Sequence, residues 1–241
     1  MDVVDRKTGK RLVPGNKKPE GDLRKSDPIR RNAEKDLEME EHSPMDPPEA
    51  YDGAVIEGVS YDQMHKVLQN FMDEHKKGIE KIDRFEQALA GFKENHYGLT
   101  QEINEVFSEF FHYFDHHILD HNQREEHQLF PLLHKKLMES DEHGEGPIPR
   151  TAVDMMEDDH IKFIQLGALA FNMLGLAARL PDERSRMFVY DTAFNSAREL
   201  IEMLRLHIYR EDHILFPLAH QLLTTEEFNA IIRGEIGPTS R

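Results

Sequence analysis

The chain has 241 residues, a formal net charge of −16 and no cysteine. Thiolate metal sites, disulfides and thiol nucleophiles are therefore excluded, and so acidic a surface argues against nucleic acid as a main partner. No run approaches the roughly 18 apolar residues of a membrane helix, and the start, with Asp2 and Asp5 and no apolar core, does not read as a secretory or transit segment. A cytoplasmic protein with no membrane contact is the expectation.

Residues 1–58 predict a disordered charged tail. The first 31 positions hold ten basic and five acidic side chains; positions 32–58 hold nine acidic and one basic. The few apolar residues are scattered and cannot bury enough surface to offset chain entropy. No aromatic or helical face accompanies the basic block, so it reads as a solvated tail rather than an anion tether.

Helical order is expected from Ser60, where Ser60-x-x-Gln63 has the spacing of a capping box. Met64, Leu68, Phe71, Met72, His75, Ile79, Ile82, Phe85 and Leu89 follow at helical spacing. Gly91 to Gly98 interrupts, and Thr100 caps a second helix with Phe107, Phe110, Phe111, Phe114, His117, His121, Glu125, Leu129, Leu132 and Leu133 on one stripe. Thr151-x-x-Asp154 opens a third, striped by Val153, Met156, His160, Ile164, Phe171 and Leu174. A fourth carries Phe194, Leu200, Met203, Leu204, His207, Glu211, Ile214, Leu215, Leu218 and Leu222. Thr224-x-x-Glu227 caps a short last helix to about Ile232. The pattern predicts an all-α, up-down-up-down four-helix bundle over 59–223, with the tail at 1–58 and a short helix and tail at 224–241. Pro131 and Pro217 fall inside apolar patterns, where a proline bends a helix.

The chain repeats itself. His121-x-x-x-Glu125 followed by Leu129-Phe130-Pro131 returns as His207-x-x-x-Glu211 followed by Leu215-Phe216-Pro217, at a constant offset of 86. Asp73-Glu74-His75 matches Asp158-Asp159-His160. Each half thus reads as a helical hairpin with one histidine on its first helix and a His/Glu pair, stacked on one face, on its second.

All six residues lie on apolar stripes. A lone histidine there is commonly a hydrogen-bonded core residue, but an unpaired buried carboxylate is strongly destabilising. Four histidines and two glutamates together therefore point to a metal site. Imidazole and carboxylate without thiolate suit iron, with manganese or zinc possible. Two nitrogens per metal and glutamates spanning both describe a dinuclear centre that an oxo or hydroxo bridge would complete. The ferritin-like alternative needs Glu-x-x-His on two helices. Glu109-x-x-His112 and Glu157-x-x-His160 do not supply it, because His112 faces away and the fourth helix has no such pair. His117, one turn before His121, reads as a core or imidazole partner, His127 and His213 as surface residues or supports of the ligand residues, and His112 and His116 as solvated. Asp73, Glu74, Asp158 and Asp159 are candidates to hold the ligand imidazoles.

One His, then His-x-x-x-Glu, then one His, then His-x-x-x-Glu, with Leu-Phe-Pro after each pair, resembles the hemerythrin-like (HHE cation-binding) family from about Ser60 to Leu223. The resemblance implies two non-haem iron ions held by His75, His121, Glu125, His160, His207 and Glu211, the glutamates bridging. Oxygen-carrying hemerythrins place a second histidine where this chain has Ile164, and an aspartate bridge at the spacing of Asp212; the repeat favours Glu211. The four-His, two-Glu set is similar to the branch with iron–sulfur repair and mycobacterial hemerythrin-like proteins, although the repair proteins' cysteine-bearing domain has no counterpart here. The expected function is binding or sensing of O2, NO or peroxide. The alternatives are a di-iron enzyme that degrades peroxide or nitric oxide, and iron storage or donation for metal-centre repair. A redox partner protein fits any of these.

Overall fold

The computed structural model describes residues 59–144 and 148–236. The charged segment 1–58, expected to be disordered, lies outside the described residues, as do 145–147 and 237–241.

Among the described residues all extended regular structure is helical, in four long rods and a short last helix. The first rod is α1, Lys66–Glu94. The second, residues 101–139, joins α2 (Gln101–Tyr113), α3 (Leu119–Arg124) and α4 (Phe130–Glu139) through single π-helical turns at Phe114–Ile118 and Glu125–Leu129. The third is α5, Ala152–Ala177. The fourth, residues 183–222, joins α6 (Glu183–Arg210) to α7 (Phe216–Leu222) through a π turn at Glu211–Leu215. Helix α8, Thr225–Ile232, follows. The rods pack as a helical bundle: α1 lies against α2 and α6, α5 against α4 and α6, and α8 against α1.

Local chemistry sets most boundaries. Thr100 and Thr224 accept backbone N–H groups as N-caps, and reciprocal capping boxes close at Thr151/Asp154 and Thr224/Glu227. Ser60/Gln63 differs from expectation. Its box closes on an isolated 3₁₀ turn, Tyr61–Gln63, and the helix proper starts only at Lys66, capped by the His65 imidazole. The C-terminal segment fixes this break. The His65 ring stacks on Phe228 at 4.2 Å, and its backbone N–H donates to His220 Nδ1 at 3.3 Å.

The prolines each follow a π turn. A proline offers no N–H to the carbonyl four residues back. Just ahead of it the ladder shifts by one residue: Phe130 N–H donates to Glu125 O and Phe216 N–H to Glu211 O. Each π turn therefore opens on a glutamate of the repeated motif, a common placement for such bulges.

The apolar interior comes in two blocks. One gathers Ile82, Phe85, Leu89, Phe107, Phe110, Phe114, Phe163 and Leu204. The other gathers Leu68, Phe71, Leu129, Phe130, Met156, Leu215, Phe216 and Phe228. On every rod the block changes across the repeated polar residues, so these form a layer between two cores.

Helix α5 departs from its expected stripe. Ile164 and Phe171 are 52% and 58% exposed, and the buried face instead runs through Val153, Met156, His160, Phe163, Gly167, Ala170 and Ala177. Small residues on that face concealed it from a search for large apolar ones. Ile214, assigned to the stripe of the fourth rod, is also exposed. With both faces apolar, α5 is long and apolar enough to cross a membrane by length and composition, at a mean hydropathy of 1.2. The expectation that no segment reaches that level is revised accordingly. Here α5 packs along α6 and carries buried His160.

Candidate metal centre

The layer contains His75, His121, Glu125, His160, His207 and Glu211, all buried, the two glutamates completely. The structure brings all six sequence-predicted residues together in two overlapping groups. His75, His121, Glu125 and Glu211 each offer a ligand atom within 4.8 Å of the others, and so do Glu125, His160, His207 and Glu211. Both glutamates belong to both groups.

Each carboxylate divides its oxygens between the groups. Glu125 Oε1 lies 3.3 Å from His121 Nε2 and Oε2 lies 3.7 Å from His160 Nε2. Glu211 Oε2 lies 3.2 Å from His75 Nε2 and Oε1 lies 3.1 Å from His207 Nε2. The Nε2 atoms themselves pair, His75 with His121 at 3.0 Å and His160 with His207 at 3.1 Å.

The outer nitrogens are held by a ring of acids that passes from rod to rod. His75 Nδ1 meets Asp212 at 2.7 Å, His121 Nδ1 meets Glu74 at 2.8 Å, His160 Nδ1 meets Glu126 at 2.8 Å, and His207 Nδ1 meets Asp159 at 3.5 Å. Each acid is the chain neighbour of one of the six inner residues and serves an imidazole on the next rod. A carboxylate accepts from Nδ1–H, which fixes the tautomer and leaves the Nε2 lone pair facing inward. Arg124 backs Glu74, and Arg210 backs Asp159 at 3.4 Å.

This arrangement fits a pair of cations and fits poorly without them. Inward lone pairs 3.0 Å apart repel unless a proton or a metal stands between them. All four oxygens of Glu125 and Glu211 are buried without a hydrogen bond, which is strongly unfavourable for carboxylates. Their nearest imidazole nitrogens lie at ion-pair distance but not in hydrogen-bonding geometry. Two sets of two nitrogens and two oxygens suit divalent transition metals.

Electrostatics carries the same message. Burial alone would strip His75 of its proton, yet Asp212 and Glu211 outweigh it and hold the imidazole up at about 10. His121 is held up at about 9, burial being overcome by Glu125 and Glu74, and His207 at about 9 by Glu211 and Asp159. Burial pushes Glu211 up, but His207 and His75 drive it well below its ordinary value. Glu74 is brought to about 2, against burial, by His121 and Arg124. Protons are thus drawn to the places that cations would take.

Several expectations are refined. Asp212 bonds His75 and Glu211 faces the layer, the division that the repeat favours. Glu74 and Asp159 hold imidazoles, whereas Asp73 bonds Tyr61 and Lys76, and Asp158 bonds Arg150. His117 is a correction: it lies in the π turn Phe114–Ile118, is exposed, and sets its ring against Tyr113 at 4.8 Å, tilted by 30°. The wider turn carries it off the inner face. His112, His116 and His213 are exposed, and His127 is half-buried. Glu109 pairs with Lys81 and Arg84, away from any metal-type cluster. Glu126, Arg124 and Arg210 were not singled out from the sequence, and Asp212 only as a rival to Glu211, although the doublets Glu125-Glu126 and Glu211-Asp212 and the arginine before each glutamate recur at the same offset.

An all-helical bundle with a buried layer of four imidazoles and two carboxylates defines a metal-binding protein. The sequence profile of the hemerythrin HHE cation binding domain matches residues 66–219, well over half of the chain. The chain belongs to that family. Searches of curated proteins and of solved structures found no significant match.

Proposed function

We propose that His75 and His121 hold one metal, His160 and His207 a second, and that Glu125 and Glu211 span the two. We further propose that both are iron and that the centre binds or senses O2, NO or peroxide. The observation that carries this reading is the division of each buried carboxylate between the two histidine pairs, with all four oxygens otherwise unpartnered. Two such irons would supply open coordination positions to a small ligand. The protein's part is to orient the imidazoles through the acid ring and to hold both carboxylates fully buried between them.

Metal analysis of protein prepared with iron, with absorption spectra before and after exposure to air, tests the proposal. Two irons per chain and near-ultraviolet diferric absorption are expected. Because the carboxylates are shared, Glu125→Ala or Glu211→Ala should lose both irons together. A chain that binds no metal, or a variant that cleanly keeps one iron, would overturn it.

A further inference from the structure

The repeat reaches past the polar layer to one end of the bundle. His134 and His220 are 86 residues apart, and so are His65 and Thr151, the residues that cap α1 and α5. Both later histidines reach across to the opposite half. His134, on the second rod, meets Thr151 Oγ1 at 2.9 Å. His220, on the fourth rod, accepts the His65 backbone N–H on Nδ1 at 3.3 Å. Two equivalent clamps thus tie the second and fourth rods to the starts of the third and the first.

The clamps differ in how they take a proton. At the first rod both Nδ1 atoms are acceptors: His65 takes the Val67 N–H at 3.3 Å, and His220 takes the His65 N–H. A backbone N–H can only donate, so both rings carry hydrogen on Nε2 and keep their basic lone pair on Nδ1. An added proton must go there, and it abolishes the acceptor. The cap of α1 and its tie to the fourth rod are then lost. At the other clamp the cap is a hydroxyl, and Asp154 lies 3.3 Å from His134 Nδ1. A proton on His134 can donate to Thr151 Oγ1 and pair with that carboxylate.

The surroundings of His65 oppose its charge. Burial and the facing His220 push its pKa below the ordinary value. The acids of α8 are engaged elsewhere, Glu227 with Thr224 and Lys136, and Glu226 with Arg233. On α1, Asp73 bonds Tyr61 and Lys76, and Asp62 of the 3₁₀ turn is exposed. The capping contribution is therefore present above the ordinary histidine value near 6.5 and lost as pH falls through the depressed one. The Phe228 ring stacked on His65 attracts a cation only weakly at a half-exposed site, which does not replace two lost acceptors.

Helix α8 rests on this clamp. Phe228 and Ile231 are buried in the second core block beside Met64 and Val67. In that block Phe71 and Phe216 stand against the imidazoles of His121 and His75 at 5.2 and 5.6 Å.

We propose that His65 and His220 form an acid-sensitive latch. Protonation releases α8 and the first turn of α1 from the end of the bundle, while the His134/Thr151 clamp keeps the start of α5 closed. The latch is a property of the fold and does not depend on which metal the layer holds.

Hydrogen exchange of the whole iron-loaded chain, followed by mass spectrometry at about pH 7.5 and about pH 5 and corrected for intrinsic rates, tests it. Protection over 61–69 and 225–232 should fall roughly tenfold or more at the lower pH, and protection over 151–156 should hold. His65→Thr combined with His220→Asn replaces both acceptors by oxygens that do not titrate there, and should make protection at all three segments independent of pH. Should the double variant not fold, His220→Asn alone should move the acid loss to lower pH by roughly half a unit or more. Equal protection at both pH values in the wild type overturns the latch. So does a loss that extends to 151–156, a loss that persists in the double variant, or an unmoved midpoint in His220→Asn.

Discussion

The two halves of the repeat differ in a way that separates what a metal layer demands from what its surroundings are free to vary. Inside the layer the correspondence is almost complete: His75 and His160, His121 and His207, Glu125 and Glu211, and the π turns and prolines behind them. One step outward, the acids and arginines correspond in kind, but their distances do not. Beyond that the halves part, with glycine against phenylalanine at 78 and 163 and a third π turn, Phe114–Ile118, that has no counterpart among the described residues of the second half. Sharing one buried layer constrains both halves alike; the packing beside that layer differs between them.

The largest test of this comparison is pH. His75 is held at about 10 and His121 at about 9 in the first half, and His207 at about 9 in the second. A histidine raised by folding stabilises the protein fully below its unfolded value near 6.5, and that contribution is lost as pH rises through the folded value. Metal-free protein should therefore lose stability between pH 7 and 10, on the order of a few kcal/mol. Iron-loaded protein should not, because the metal has displaced those protons. Metal affinity moves the opposite way, rising roughly tenfold per pH unit for each proton displaced. Glu211, driven low, adds an acid limb: its contribution is present above its ordinary value and lost as pH falls toward its depressed one. Thermal unfolding of chelator-treated and loaded protein from pH 5 to 10 checks this. A metal-free midpoint that stays flat from 7 to 10 would contradict it.

The acid ring gives the next contrast. Glu74 meets His121 at 2.8 Å with Arg124 behind it, whereas Asp159 stands 3.5 Å from His207 with Arg210 at 3.4 Å. Removing an outer partner of a ligating histidine lowers metal affinity about 10–100-fold. Glu74→Gln should fall at the upper end and Asp159→Asn at the lower, as read by competition with a chelator. Equal losses would show that the looser bond in the second half tightens around metal.

The two halves also mark where sequence reasoning succeeds. The six inner residues were legible because polar side chains on apolar stripes are expensive, and the doubled spacing made chance improbable. Their outer partners were only half legible. Glu74 and Asp159 stand beside ligands, but the pairings of Asp212 with His75 and Glu126 with His160 depend on which rods adjoin. The face of α5 was misread because Gly167 and Ala170 are buried while Ile164 and Phe171 are not. His117 was misplaced because nothing in a 3.6-residue count announces a π turn. The fold followed from periodicity, which is local; the partners of the outer nitrogens follow from packing across rods, which is not.

The smallest test uses two glycines that align with large residues in the opposite halves, Gly78 with Phe163 and Gly167 with Ile82. Both sit inside long helices, where alanine is intrinsically favoured by about 0.8–1 kcal/mol. At Gly78 the new methyl would meet only the Tyr113 hydroxyl at 3.9 Å, an ordinary contact. Gly78→Ala should therefore raise stability by roughly 0.5–1 kcal/mol. At Gly167 the methyl would press on the Phe114 ring at 2.9 Å. That ring is buried and packs near Phe110 at 6.3 Å, so relief requires the core to move. Overpacking of this kind costs about 1–3 kcal/mol, which outweighs the helical gain, and Gly167→Ala should be destabilised on balance. Urea unfolding of the two variants should give opposite signs. If both are stabilised, Phe114 yields easily, and the second half is less firmly filled than its distances indicate.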